Sequence, residues 1–386
     1  MKSAEFSAAE ASDGGSERAR PLVRHLYVHV PFCPHICPYC SFYKTAGDHR
    51  HADDYIDAVL AELAGHREAV DFALETVFIG GGTPTALRAS QLERLAAGLQ
   101  SLAGFERVAE WTIEMNPASV SRDKAESLRR RGVNRVSMGV QAWQPELLET
   151  LGRVHSAEQA AESYAILRAA GFDAINLDHI FGIPGQTASH WRQTLERTLD
   201  LAPEHVSAYC LTYERDTEFF RRFQSGRYRG DEDAEAEFFE TAMGALEQAG
   251  YRHYEISNYA LPGRECRHNL AYWNGADYLG LGPSAFSTVA GARWQNVPDS
   301  ARYVAAIRGG RNPASFREAV DPETRRSERV AFGLRTGHGV PLDLIVGRDE
   351  QIVTLLEHGL AEIDGGRLVA TRAGRLLVDS LAESLL

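Results

Sequence analysis

The sequence predicts an α/β fold: a partial (β/α)6 barrel of the TIM type, then a mixed α/β extension and a winged-helix-like C-terminal domain. Three observations carry that reading. Short β-branched runs alternate with helical stretches six times between residues 26 and 210, which implies parallel strands joined by helical crossovers. Polar and glycine residues recur just after those runs, at the rim where such barrels place their chemistry. Near residue 231 the alternation stops, and the final stretch reads as helices around a small hairpin.

Residues 1–21 are rich in Ala, Ser, Glu and Gly without periodicity, and a disordered leader is expected there. The barrel is expected over 22–230. Its first strand is 26–30, followed by a helix over 53–70. A second strand, 76–79, runs into Gly80-Gly81-Gly82-Thr83-Pro84. Ser90 with Glu93 predicts a capping box opening a helix to about residue 102. The third strand is 111–114, with a helix over 121–131, and the fourth is 135–138. Ser156 with Gln159 predicts a second capped helix, ending at Gly171. The fifth strand is 174–178, with a helix over 189–200, and the sixth is 205–210. The extension covers 231–320: a helix over 231–248, an aromatic and polar stretch over 253–278, and Gly280-Leu281-Gly282-Pro283, read as a turn. Residues 321–386 form the winged-helix-like domain, with a hairpin at Gly365-Gly366. They hold eleven Asp/Glu against eight Lys/Arg, which favours packing against protein over binding DNA.

With 386 residues the chain can hold one large domain and a smaller one. Hydrophobic residues at 44 % and aromatics at 9 % are ordinary for a globular protein. No run approaches the roughly 18 apolar residues of a membrane helix. The 41 Lys/Arg against 53 Asp/Glu leave a net charge of −12, which argues against nucleic acid as the main partner. Of five cysteines, three cluster and two, Cys210 and Cys266, stand alone, so no disulfide framework is indicated. No apolar signal core is present near residue 1, and a cytoplasmic location is expected.

The densest chemistry lies at residues 26–43. Cys33, Cys37 and Cys40 fall in a C-x3-C-x2-C spacing after the first strand. Three thiols this close suit one compact object touched by all three. An iron–sulfur cluster is such an object, and with three thiolates on four irons one iron stays open to a small ligand. The competing reading is zinc, with His29 or His35 as fourth ligand, although zinc sites usually bring their ligands as separated pairs. Further along, consecutive glycines at 80–82 let backbone groups approach a ligand with no Cβ between. Glu114 ends the third strand, where a carboxylate can accept hydrogen bonds from ribose hydroxyls or form a salt bridge.

The cysteine stretch resembles the signature of the radical S-adenosylmethionine (SAM) superfamily. The longer string Y-x-H-x-P-F-C-x3-C-x2-C, from Tyr27 to Cys40, resembles the branch that holds oxygen-independent coproporphyrinogen III oxidases (HemN) and heme chaperones (HemW). The resemblance implies a radical SAM barrel, with a [4Fe–4S] cluster on Cys33, Cys37 and Cys40 and SAM completing the fourth iron. It implies Tyr39 beside the adenine and Gly81, Gly82 and Thr83 around the SAM amino group. Tyr27, Glu114, Gln141, Arg153 and Asp178 would line the rest of the pocket. Asp178-His179-Ile180-Phe181-Gly182-Ile183-Pro184-Gly185-Gln186-Thr187 is also close to that pattern, so the resemblance spans about residues 22–290. A second SAM, present in the HemN pattern, does not follow for this chain.

Two departures favour the heme-chaperone branch. Phe42 stands where HemN carries a further cysteine, and the first strand begins near residue 26, without the longer segment that precedes it in HemN. Cys266-Arg267-His268-Asn269-Leu270-Ala271-Tyr272-Trp273 resembles the H-N-x-x-Y-W motif associated with heme in that branch. There His268 would ligate heme iron, Tyr272 and Trp273 would pack on the porphyrin, and Cys266 is read as a buried thiol. The implied partners are heme or another porphyrin, a recipient hemoprotein and a protein that reduces the cluster, with no nucleic acid. Radical decarboxylation of coproporphyrinogen III and a zinc-stabilised binding module stay open as rivals.

Overall fold

A computed structural model describes residues 19–46 and 51–386. Apart from residues 19–21, the leader expected at 1–21 lies outside them. The contacts divide the chain into two compact units. Among the described residues the first holds 19–46, 51–138, 158–173 and 277–319, and the second 139–157, 174–276 and 320–386. Nine strands carry the site residues or frame them: β1 Leu22–Val30, β2 Asp71–Gly81, β3 Glu110–Met115, β4 Arg135–Gln141, β5 Ile175–Phe181, β6 His205–Cys210, β7 Arg252–Glu255, β8 Asn258–Ala260 and β9 Leu279–Leu281.

In the first unit the order is β9-β1-β2-β3-β4, and every neighbouring pair is parallel. The register sets Tyr27 beside Phe78 and Gly280, His29 beside Gly80, and Glu114 beside Ser137. In the second unit β5 and β6 are parallel, β8 is antiparallel to β6, and β7 is antiparallel to β8. Neither set closes on itself among the described residues, so the strands form open sheet and no closed barrel.

Gly280-Leu281-Gly282-Pro283 is not the expected turn, because Leu279–Leu281 runs as a strand beside β1. A Cβ on Gly280 would lie 2.0 Å from the carbonyl oxygen of Phe286. The Gly280 N–H instead donates to Ser287 Oγ at 2.9 Å. Close crossing of the next segment, not a change of chain direction, demands glycine there. β2 begins five residues earlier than expected, because Asp71 and Phe72 pair with Leu22 and Val23 ahead of a bulge in β1.

The helix expected to open at Ser90 is Ala89–Ala103, and its reciprocal cap is different. The Arg88 N–H donates to Gln91 Oε1 at 3.1 Å, while Glu93 accepts from Ser127 Oγ at 2.8 Å. Glu93 is thus drawn away from the cap to a neighbouring helix, Arg122–Arg130. That helix is capped by Ser121, as Glu232–Gln248 is by Asp231, each side chain accepting an N–H three residues on. The first helix, Ala52–His66, stops short of residue 70.

Past residue 320 comes helix Pro322–Leu334, then helix Asp349–Glu357, then a hairpin of Ala361–Asp364 with Arg367–Ala370. This winged-helix order has its own core, including Val330, Leu334, Val340, Leu368, Leu381 and Leu385. No described helix is long and apolar enough to cross a membrane.

Candidate functional site

Strands buried on both sides reveal a site by the residue they fail to bury. Past its exposed start, β1 buries everything except Tyr27. Only Glu114 is half-buried on β3, and only Asp178 on β5. β4 leaves Ser137, Gly139 and Gln141 partly accessible.

In the first unit the cysteine loop is tied to the glycine segment through the backbone. Gly82 N–H donates to Val30 O and Thr83 N–H to Phe32 O, both at 2.8 Å. On the loop's far side Thr45 N–H donates to Pro31 O at 2.8 Å, and Phe32–Cys33 pairs with Thr45–Ala46. Lys44 closes the loop by donating to Cys40 O at 2.6 Å and Phe42 O at 2.9 Å. Tyr39 sits half-buried in the turn where Cys40 N–H meets Cys37 O. The glycines are required by this approach. A Cβ on Gly82 would meet Phe32 O at 2.8 Å, and one on Gly81 would strike the His29 ring at 2.6 Å.

His29 is buried and spoken for at both nitrogens. Nε2 lies 2.8 Å from the Tyr43 carbonyl, which only accepts, so Nε2 carries the proton. Nδ1 therefore accepts from the Tyr27 hydroxyl at 3.0 Å. Burial holds the ring neutral, with its pKa lowered to about 4. Burial also pushes the Tyr27 hydroxyl well above its ordinary range, with the Glu114 carboxylate adding to the shift. Glu114 Oε2 accepts from Gly81 N–H at 2.9 Å, so strand end and glycine segment are pinned together.

None of Cys33, Cys37 and Cys40 is in a disulfide with a described residue. Thr83 Oγ1 donates toward Cys33 Sγ at 3.8 Å. Burial raises the Cys33 thiol, Thr83 opposes that, Cys40 and Cys37 raise it further, and Lys44 lowers it. Bound as thiolates, these three sulfurs would need more positive charge than the nearby Lys44 supplies, and a cluster's irons would provide it. The donor set therefore fits an iron–sulfur cluster. A structural zinc site would take a fourth protein ligand. Of the two histidines available to such a site, His29 is committed and His35 is exposed.

The remaining candidates lie in the second unit. Gln141 adopts φ +70°. Its amide and the Arg153 guanidinium sit over Gly139, where a Cβ would lie 2.6 Å from Gln141 Nε2, and Arg153 Nη2 donates to Gly139 O at 2.8 Å. Asp178 accepts from Asn176 Nδ2 at 2.6 Å. His268 is on helix Arg267–Trp273, 1 % exposed, with the Tyr272 ring edge-on at 4.7 Å. The Trp273 indole donates to the buried Glu255, whose carboxyl burial raises to about 7, and its ring packs on Phe332 at 5.9 Å. Trp273 is half-buried and anchors its helix through these two contacts. Cys266 is buried, as read.

Sequence reasoning passed over Phe78, Lys44 and Ser137. Phe78 lies beside Tyr27, ring centroids 6.2 Å apart. Its signal was the two-residue period it shares with Gly80 along β2.

Residues 27–198 match the radical SAM superfamily model, and 320–377 match the HemN C-terminal domain. The heme chaperone HemW of Lactococcus lactis is 35 % identical over 93 % of this chain and 96 % of its own length. The HemW of Bacillus subtilis is 37 % identical over 82 % of this chain and 85 % of its own. The solved coproporphyrinogen III oxidase (HemN) of Escherichia coli, a radical SAM enzyme, superposes with a TM-score of 0.82 at 25 % identity, covering 95 % of this chain and 90 % of that one.

Proposed function

We propose, for a chain that belongs to the HemW family of the radical SAM superfamily, that it binds a [4Fe–4S] cluster, SAM and heme and delivers heme to a recipient protein. The observation that carries this reading is the tie between the cysteine loop and the glycine segment, with Thr83 on Cys33 and Glu114 on Gly81. Cys33, Cys37 and Cys40 would hold the cluster, which when bound supplies an open iron for the SAM amino and carboxylate groups. Tyr27, Tyr39, Gly81, Gly82, Thr83, Glu114, Gln141, Arg153 and Asp178 are the proposed SAM contacts. Lys44 stiffens the loop that presents the thiols. His29, kept neutral, supports Tyr27 and the backbone under Gly81.

His268 is the proposed heme ligand. At 1 % exposure it reaches iron only when helix Arg267–Trp273 moves. The proposed partners are a hemoprotein that receives heme and a protein that reduces the cluster, in the cytoplasm. The second reading is coproporphyrinogen III oxidation, favoured by the HemN superposition. Against it stands Phe42, 68 % exposed where HemN carries a cysteine.

Anaerobic reconstitution with iron and sulfide, followed by titration with SAM and heme and product analysis on coproporphyrinogen III, tests the proposal. The expected result is a brown protein that binds heme and forms no protoporphyrinogen. Turnover to protoporphyrinogen would establish the oxidase instead, and a colourless protein would return the site to zinc.

A further inference from the structure

Asp178 is the acceptor end of a buried chain of hydrogen bonds whose polarity is fixed at both ends. A carboxylate accepts only, so at 2.6 Å Asn176 must present Nδ2 to Asp178 and turn Oδ1 away. That oxygen lies 2.6 Å from His205 Nδ1, which must then carry the imidazole proton. His205 Nε2 is left as an acceptor and faces the Tyr254 hydroxyl at 2.8 Å. The Tyr254 oxygen, having donated its proton, accepts from the Cys266 N–H at 3.3 Å. Ser207 Oγ braces the middle, 2.9 Å from Asn176 Nδ2 and 3.1 Å from Oδ1. Asn176, His205 and Ser207 are each at least 96 % buried, so no water competes for these bonds.

Cys266 is the residue that opens the helix bearing His268. The relay thus runs from that helix, through Tyr254, His205 and Asn176, to the one half-buried residue of β5. We infer that Tyr254, His205 and Asn176 are positioning residues for Asp178, and that through them movement of helix Arg267–Trp273 weakens the grip of Asp178 on SAM. The inference rests on the SAM and heme roles proposed above. The longest link, Cys266 to Tyr254, is also the one that a shift of the helix breaks first. His268 is buried, so heme ligation demands such a shift. Loss of the first donor depolarises each bond behind it, and Asp178 is held less well. Heme and SAM therefore oppose one another, and each lowers the other's affinity by the same factor.

The test uses the full chain with its cluster reconstituted. Tyr254→Phe removes one buried hydroxyl from the relay. Tyr251→Phe removes one outside it, a hydroxyl that donates to Pro203 O. Asn176→Ala removes the direct donor to Asp178 and serves if Tyr254→Phe does not fold. The expected result is a SAM Kd raised roughly fivefold or more by Tyr254→Phe and by Asn176→Ala, within about twofold of wild type for Tyr251→Phe, at equal iron content. Heme loading should raise the wild-type SAM Kd by a similar factor, and the Tyr254→Phe Kd by less than about twofold. An unchanged SAM Kd in Tyr254→Phe, an equal rise in Tyr251→Phe, or heme coupling that survives Tyr254→Phe would each overturn the inference. Wild type that binds SAM but shows no heme effect overturns the coupling alone. Wild type that binds no SAM refutes the functional reading first, and the inference with it.

Discussion

Replacing Gly82 with alanine puts one methyl group where the cysteine loop is anchored. Its Cβ would lie 2.8 Å from Phe32 O and 2.9 Å from Pro31 C and O, all backbone atoms that no rotamer change can move. Ordinary contact begins near 3.4 Å, so the glycine segment must retreat about 0.6 Å from the loop. Two bonds span that gap, Gly82 N–H to Val30 O and Thr83 N–H to Phe32 O, each 2.8 Å long. Lengthened to about 3.4 Å, both leave the range of a good hydrogen bond. At about 0.5–1.5 kcal/mol each, the anchor loses about 1–3 kcal/mol, and Thr83 moves off the Cys33 sulfur. The assay is iron per chain after anaerobic reconstitution, with the rate of cluster loss on chelator challenge and the SAM Kd. Gly82→Ala should hold less iron, lose it faster and bind SAM more weakly. Gly230→Ala is the matched control, because its Cβ meets only Glu235 Oε1 at 3.7 Å. If Gly82→Ala matches wild type and Gly230→Ala in all three measurements, the glycine segment is not the anchor described.

Cys37→Ala should abolish the cluster, since two thiolates leave two irons without protein ligands; a variant that still binds about four irons per chain would refute the assignment. Glu114→Ala should weaken SAM binding roughly tenfold or more with the cluster retained, from the loss of charged hydrogen bonds worth about 1.5–3 kcal/mol, and an unchanged Kd would remove its ribose role. Glu62 gives a pH signature. It is buried, accepts from Gly282 N–H at 2.9 Å, Asn296 Nδ2 at 2.6 Å and the Tyr303 hydroxyl, and burial outweighs these donors to raise its pKa from 4.5 to about 7. Between those values the native state keeps a proton the unfolded chain releases, so stability falls as pH rises from about 4.5 to 7, by an amount on the order of 3 kcal/mol. Glu255, also raised to about 7, titrates in the same window, so Glu62→Gln should flatten the fall in denaturant stability only in part; an unaltered profile would contradict the burial of its charge.

The strand–helix rhythm is legible in the order of residues, because a period of two or 3.6 in apolar residues is a local property. The thiol donor set is legible there too, since three cysteines within eight residues share one loop whatever the rest of the chain does. What lies opposite a residue is settled by folding, and no local pattern carries it. The glycines of Gly280-Leu281-Gly282 suit a turn and a crowded strand equally well, and the carbonyl of Phe286 chose the strand. Glu93 was chemically fit to cap its own helix, and Ser127 of a neighbouring helix claimed it. His29 could have ligated metal, until a carbonyl at one nitrogen and a phenol at the other took both its lone pair and its proton. Trp273 has the ring a porphyrin would stack on, and folding ties its N–H to a buried carboxylate and sets it edge-to-face with Phe332. The relay from Cys266 to Asp178 joins residues up to 90 positions apart in the chain. Its direction follows from donor and acceptor chemistry, but only folding set those groups within hydrogen-bonding distance.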